Sequence, residues 1–284
     1  MRSKLFVPGS RPELFEKALK SAADSISFDL EDAVAPEFKQ SARERLAAFL
    51  AAPGFDSKEK KIIVRVNAPD SPHFLPDLRA LAASRVDILN IPKLESAEAV
   101  RHAAAAVESA GFASQGVRLL ANIETPKGLR LAAEIAAAHP MVAGLQLGLA
   151  DLFEPLGIAR YDSGNLRQVM MALRLAAGES GKYALDGAYA RVSDPEGFRQ
   201  EAQLARSLGL AGKSCIHPSQ IAIANDVFGP SADDIAQARR IVQASRQQAG
   251  VGAFLLDGKM IDAPFIKRAQ DVLRTAGIDP EIDQ

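Results

Sequence analysis

Acidic, basic and amide side chains in this sequence collect where runs of aliphatic residues stop, and that placement is the first sign of chemistry. One run ends Phe28-Asp29-Leu30-Glu31-Asp32, the next Arg65-Val66-Asn67, and the next Ile91-Pro92-Lys93. Asn122-Ile123-Glu124 and Leu149-Ala150-Asp151 follow, then a run that includes Asp186 and a last one that closes on His217. Glu124 and Asp151 end successive runs. On neighbouring strands these carboxylates would repel unless one held a proton or a cation lay between them. Magnesium suits such a pair, because it takes one or two protein carboxylates, keeps waters and accepts substrate oxygens; manganese is the alternative with the same oxygen preference. The competing arrangement is a salt-bridge network in which each carboxylate pairs with Lys93 or Arg65. Arg65 offers a planar fork that can clamp a substrate carboxylate, or it forms an ion pair with Glu31 or Asp32. The group Asp29, Glu31 and Asp32 either caps a strand terminus or gives hydrogen bonds to metal-bound water rather than direct ligation.

The other reactive residue types read more plainly. His217, ahead of Pro218, is expected to be a satisfied loop histidine, and Cys215, inside an apolar run with no base beside it, a packing residue. Pro8-Gly9-Ser10-Arg11 is a turn with room for a phosphate or a pantetheine chain, but it is no Walker loop. The sequence has no spaced-glycine dinucleotide fingerprint, nucleophile elbow or paired-histidine zinc motif. Nicotinamide chemistry, serine hydrolysis and zinc hydrolysis therefore lack support.

Positioning those residues requires strands. Eight aliphatic segments fit: Lys4 to Pro8, Ser25 to Leu30, Ile62 to Asn67, Asp87 to Lys93, Arg118 to Glu124, Val142 to Asp151, Tyr183 to Ala190 and Gly212 to His217. Between them lie amphipathic helical patterns. Pro36 opens one whose apolar face is Phe38, Leu46, Phe49 and Leu50; Ser96 precedes the run Ala97 to Ala110, which Gly111 ends; and Leu166 to Ala177, with Met170, Leu173 and Leu175 apolar, stops before Gly178. Strict alternation of strand and helix favours an α/β fold of the (β/α)8 type, the TIM barrel, over a doubly wound open sheet. In such a barrel the catalytic face lies at the carboxyl ends of the strands, where the polar residues fall. Parity puts Arg65 with Asn67 and Asn122 with Glu124 on shared faces. We place the barrel at 1–230 and a C-terminal helical arm at 231–284. The arm has helices at Asp233 to Gln248 and Ala263 to Ala276, with an extended or turning piece, Gly252 to Asp262, between them.

With 284 residues, 48% hydrophobic and 24% charged, the chain can bury a sizeable core and is not disordered. Thirty-four basic against 35 acidic side chains remove the electrostatic reason to expect nucleic acid or an anionic membrane as partner. One cysteine excludes an internal disulfide and a thiolate zinc cluster. Neither a signal peptide nor a stretch able to span a bilayer is read, so a cytoplasmic enzyme is expected.

At these same residues the sequence resembles the citrate lyase beta-subunit-like proteins of the HpcH/HpaI aldolase/citrate lyase family. The matching pieces are Arg2-Ser3-Lys4-Leu5-Phe6-Val7-Pro8-Gly9, Asp29-Leu30-Glu31-Asp32-Ala33-Val34, Arg65-Val66-Asn67, Ile123-Glu124-Thr125-Pro126, Gly148-Leu149-Ala150-Asp151-Leu152 and Gly212-Lys213-Ser214-Cys215-Ile216-His217-Pro218. The resemblance implies a (β/α)8 barrel that acts on acyl thioesters with magnesium. Glu124 and Asp151 would be metal ligands, Glu124 also facing substrate, and Arg65 the clamp on a substrate carboxylate or carbonyl. It further implies that an aspartate on the arm of a neighbouring subunit completes the site. Asp262, in Gly258-Lys259-Met260-Ile261-Asp262, matches it as general acid/base in a homo-oligomer, a trimer or hexamer. The chain departs from many relatives at Ala190-Arg191-Val192, where they carry an acidic residue.

Three readings of function compete, the first two drawn from the resemblance. The first is reversible cleavage of a citramalyl-CoA or malyl-CoA type thioester to acetyl-CoA and a 2-oxo acid. The second is a citrate lyase beta subunit that cleaves citryl-acyl-carrier protein. The third is a non-catalytic barrel subunit.

Overall fold

The computed structural model describes residues 1–248 and 252–281, and the chain divides into two compact units, 1–228 and 229–284. The first is built on eight parallel strands: β1 (Ser3–Pro8), β2 (Ser25–Asp29), β3 (Lys61–Arg65), β4 (Ile88–Ile91), β5 (Arg118–Ile123), β6 (Val142–Leu147), β7 (Tyr183–Leu185) and β8 (Lys213–Cys215). The ladder runs β7-β6-β5-β4-β3-β2-β1-β8. A bridge between Asp186, just past β7, and Lys213 closes it into a ring. This is the expected (β/α)8 barrel.

Alternation along each strand separates two environments. Leu5, Phe28, Val64, Leu89, Ala121, Leu145 and Cys215 point outward and join the main apolar cluster with the surrounding helices. The inward residues of alternate strands share levels, because each strand is staggered against the next. Strand register places Lys4, Ile63, Leu120 and Leu185 on one level and Ser27, Asn90, Gln146 and Ser214 on the next towards the carboxyl ends. Phe6, Arg65 and Asn122 lie on the level above that. Branched aliphatic residues usually fill such an interior. Here the middle level is wholly polar, and the level beneath it carries the Lys4 amine.

Several strands stop earlier than their aliphatic runs. The sequence pattern extends β6 to Asp151, but the strand ends at Leu147, and Leu149–Phe153 is a short helix with Asp151 in its first turn. Likewise β7 stops at Leu185 rather than Ala190, and β8 at Cys215 rather than His217. Beyond the barrel rim the backbone finds its partners in turns and helices instead, as where Leu152 N–H bonds the Gly148 carbonyl at 3.1 Å.

The helix after Ser96 spans Ala97–Ser109; the Ser96 hydroxyl accepts from Ala99 N–H at 3.1 Å, and Gly111 follows at φ +95°. The helix Ser163–Glu179 runs through Gly178 instead of stopping before it, and Leu175, expected on the apolar face, is 66% exposed. Phe38 is 54% exposed in a short turn, Pro36–Phe38, ahead of the helix Lys39–Leu50. In both places the apolar side chain lies off the buried stripe.

The second unit consists of the helix Ala232–Gln247, strands β9 (Ala253–Leu256) and β10 (Lys259–Asp262), and the helix Ala263–Thr275. The piece read as extended is an antiparallel hairpin. It turns on Asp257 and Gly258, at φ +51° and +78°, the Asp-Gly pairing that a tight hairpin favours. Phe254 and Ile261 pack with Ala238, Ile241, Val242, Ala269 and Leu273.

Candidate active site

A cavity of about 470 Å³ opens at the carboxyl ends of the strands. Phe6, Asp29, Asp32, Arg65, Asn122, Glu124, Gln146, Asp151 and Arg160 are among the residues that line it. Arg65 is the hub of one side. Its Nε and Nη2 donate to the two oxygens of Asp29 at 2.8 and 2.6 Å, a bidentate pair. Its Nη1 lies 3.0 Å from Glu31 Oε2 and 3.3 Å from Asp32 Oδ2. The ion pair with Glu31 and Asp32 weighed from the sequence is thus present, but Asp29 is the principal partner. Asp29 also accepts from the backbone N–H groups of Glu31 and Ala33. Burial alone would raise its carboxyl, yet Arg65 and these donors outweigh it and hold the group below its ordinary value.

Glu31 differs. It is buried, with Lys93 Nζ 3.4 Å away as well as Arg65, but neither of its carboxylate oxygens has a hydrogen-bond partner among the described residues. Burial pushes it up to about 7 against the pull of Arg65.

Glu124 is 2% exposed. Its Oε1 accepts from the Lys93 backbone N–H at 2.8 Å and its Oε2 from the Asn122 amide. The Lys93 backbone is left-handed there, φ +55°, which aims that N–H at the carboxylate. Thus Lys93 serves Glu124 through its backbone and Glu31 through its ammonium group. Gly148 makes the room: a Cβ on it would stand 2.5 Å from Glu124 Cβ and 2.6 Å from Oε2. Burial, and then the charge of Asp151, raise the Glu124 carboxyl. Asp151 is exposed at the rim.

These features fit a divalent cation. Each Glu124 oxygen has one donor and keeps acceptor capacity, and Asp151 adds a like charge that a cation would relieve. Glu31 offers two unfilled acceptors to the waters such an ion keeps. Among the described residues no three His, Cys, Asp or Glu side chains gather in metal-binding array. The ion would therefore rest on two carboxylates, waters and substrate oxygens, as magnesium does.

The remaining candidates fall elsewhere. Asn67 is buried and structural, its amide donating to the Leu30 carbonyl at 3.0 Å and to Asp77 at 2.6 Å. His217 is exposed and pairs with Ser219 at 2.8 Å, and Cys215 is buried in the outer core. Asp262 belongs to the second unit. It ends β10 and precedes the last helix, and its Oδ1 is buried without a hydrogen-bond partner among the described residues.

Sequence reasoning missed Arg160 and Tyr161 on the cavity wall, where Arg191 stacks 3.7 Å from the centre of the Tyr161 ring. It also missed Lys4 and Gln146 inside the barrel. A lysine at inward parity with Phe6 in an otherwise apolar strand was the available signal for Lys4.

A (β/α)8 barrel with paired carboxylates, an arginine hub and a cavity at this end belongs to the barrels that do their chemistry there. Residues 2–218 match the HpcH/HpaI aldolase/citrate lyase family, and the chain belongs to that family. It is 40% identical to the citrate lyase subunit beta of Haemophilus influenzae over 282 residues, 97% of this chain and 96% of that protein. It is 35% identical to the L-malyl-CoA/beta-methylmalyl-CoA lyase of Rhodobacter capsulatus over 301 residues, 97% of this chain and 94% of that protein. Among solved structures, CitE of Mycobacterium tuberculosis in complex with magnesium, acetoacetate and coenzyme A superposes with a TM-score of 0.78 at 36% identity. That match covers 98% of this chain and all of the other.

Proposed function

We propose that this protein is a magnesium-dependent carbon–carbon lyase that reversibly cleaves a citramalyl-CoA or malyl-CoA type thioester to acetyl-CoA and a 2-oxo acid. The observation that carries the reading is the buried Glu124, near enough to Asp151 to feel its charge, in a cavity that Arg65 also lines. Full-length similarity to a malyl-CoA lyase and to a CoA- and magnesium-bound structure supports it.

Glu124 and Asp151 would hold the ion, magnesium in preference to manganese, which when bound polarises the substrate's carboxylate and hydroxyl oxygens and lowers the hydroxyl's pKa. Asp29 grips Arg65 through Nε and Nη2, and a substrate carboxylate or carbonyl would compete with Glu31 and Asp32 for the Nη1 edge that faces the cavity. A general base takes the hydroxyl proton, the C–O(H) group becomes a carbonyl as the adjacent C–C bond breaks, and the thioester leaves as an enolate whose carbon takes a proton. Asp262, on the arm of a neighbouring subunit in a trimer or hexamer, is our candidate for that proton transfer. Asp29, Glu31 and Asp32 would orient Arg65 and the ion's waters without ligating it.

A second reading, cleavage of citryl-acyl-carrier protein, draws on the 40% identity to a citrate lyase subunit beta. A coupled assay for acetyl-CoA release from (R)- and (S)-citramalyl-CoA and malyl-CoA, with magnesium or with EDTA, separates the two. EDTA-sensitive turnover of one thioester is the expected result. Inertness towards all of them, with turnover of citryl-carrier protein, would replace the first reading by the second.

A further inference from the structure

Beneath the carboxylates of the mouth runs a chain of polar side chains whose two ends fix the direction of everything between them. At the upper end the Glu124 carboxylate accepts, so the Asn122 amide must turn its NH2 towards Glu124 Oε2 and its Oδ1 away. At the lower end Lys4, 1% exposed, donates to Gln146 Oε1, which turns the Gln146 NH2 away from Lys4. Asn122 and Gln146 are register partners on β5 and β6, and both line the floor of the cavity. The donor end of Gln146 and the acceptor end of Asn122 are thus free to be joined through water across adjacent strands, no direct hydrogen bond linking them among the described residues. Asn122 Oδ1, Ser27 Oγ and both polar atoms of Asn90 are buried without hydrogen-bond partners among the described residues. Buried polar groups left this way are costly, and internal water is their usual partner.

We infer that Lys4 is a positioning residue for the mouth: through Gln146, Asn122 and internal water it holds an N–H donor against Glu124 and so sets how Glu124 meets a divalent cation. The inference rests on the reading of Glu124 as a magnesium ligand. Lys4 is not among the residues lining the cavity, so its influence has to pass through others. Phe6 supplies a second restraint, with Lys4 Nζ 4.1 Å and the Arg65 guanidinium carbon 5.3 Å from its ring centre. Burial, aided by the charge of Arg65, pushes the Lys4 amine well below its ordinary value. Charged or neutral, the amine keeps N–H groups to donate.

The test is magnesium affinity by isothermal titration calorimetry in the wild type, Lys4→Met and Lys4→Gln, with thermal unfolding in EDTA recorded alongside. Charge alone predicts tighter magnesium binding once a cation is removed from below the site. The inference predicts the opposite for Lys4→Met, about tenfold weaker binding on the scale of lost supporting hydrogen bonds around metal ligands. It predicts no loss for Lys4→Gln, whose amide still donates. Unchanged or tighter binding in Lys4→Met overturns the inference, and so does an equal loss in both variants. If Lys4→Met fails to fold, Gln146→Met must show the weakening, and unchanged affinity there overturns it equally. A wild type that binds no magnesium would instead overturn the metal reading, and this inference with it.

Discussion

Two groups of ion pairs in the barrel unit look alike on paper and differ in kind. Outside the barrel wall, Lys213 reaches Asp186 and, at 2.7 Å, Glu201 on the helix Pro195–Ser207. Arg160 closes on Glu201 with two bonds of 2.8 and 3.0 Å and on the Ala188 carbonyl at 2.7 Å. Two cations meet two carboxylates, and every carboxylate oxygen has a donor, Asp186 Oδ1 taking the Gly187 N–H at 2.8 Å. Burial would lower the Lys213 ammonium, but its two carboxylates outweigh this and raise it. At the mouth, Asp29, Glu31, Asp32, Glu124 and Asp151 outnumber the cations beside them, Arg65 and Lys93 with Arg160 on the cavity wall, and neither oxygen of Glu31 has a hydrogen-bond partner among the described residues. The balanced group is finished by the fold. On the proposed function, the unbalanced one would be completed by a bound cation and substrate.

The sharpest way to break this contrast is Lys213→Met, which leaves the buried Asp186 without its ion-pair partner and Glu201 with Arg160 alone. A stability loss of about 3–5 kcal/mol is expected in urea unfolding, as for other buried pairs robbed of one partner, with magnesium affinity unchanged in the protein that remains folded. A comparable loss of magnesium affinity would merge the two groups into one.

Glu31 gives the next largest effect, with the opposite sign. Its folded carboxyl sits near 7 against an ordinary 4.5, so the stability it contributes is full below pH 4.5 and is lost as pH rises through 7. In EDTA, Glu31→Gln should therefore gain on the wild type between pH 5 and pH 8, by on the order of 2 kcal/mol. Magnesium should shrink that gain, because bound waters would then serve the carboxylate. Parallel stability curves for the two proteins across this pH range would count against an unsatisfied mouth.

Gly148→Ala is the smallest. Gly148 has φ −107°, which alanine tolerates, so the new methyl acts only by crowding Glu124. Magnesium affinity should fall about tenfold, roughly 1.4 kcal/mol, with a stability loss of about 1 kcal/mol from overpacking beside the buried Glu124. Unaltered affinity would mean that the Glu124 carboxylate is not held in the geometry described.

Much of this was legible in the sequence because two regularities coincide. Period-2 alternation marks strands, and barrels do chemistry where strands end, so Arg65, Glu124 and the Asp29–Asp32 segment stood out together. Asn122 was paired with Glu124 by parity alone. Other features depend on distances that spacing does not encode. Three acids within four residues compete for Arg65, and only the fold shows Asp29 taking the bidentate grip. The outer network draws on Arg160, Asp186, Glu201 and Lys213, which sequence alone does not bring together. Lys4 was passed over because a strand pattern does not distinguish the inside of a barrel from its outside. Asp151 was read as a strand end because Leu145, Leu147 and Leu149 continue the alternation past the point where the backbone turns.

The most direct test of the account is the rate of acetyl-CoA release as a function of magnesium concentration for the wild type, Glu124→Ala and Asp151→Ala, each confirmed folded by circular dichroism. The account predicts saturable magnesium dependence in the wild type and a loss of roughly a thousandfold in each variant, the scale of several kcal/mol of lost charge stabilisation. Folded variants that keep full activity and wild-type magnesium dependence would contradict it.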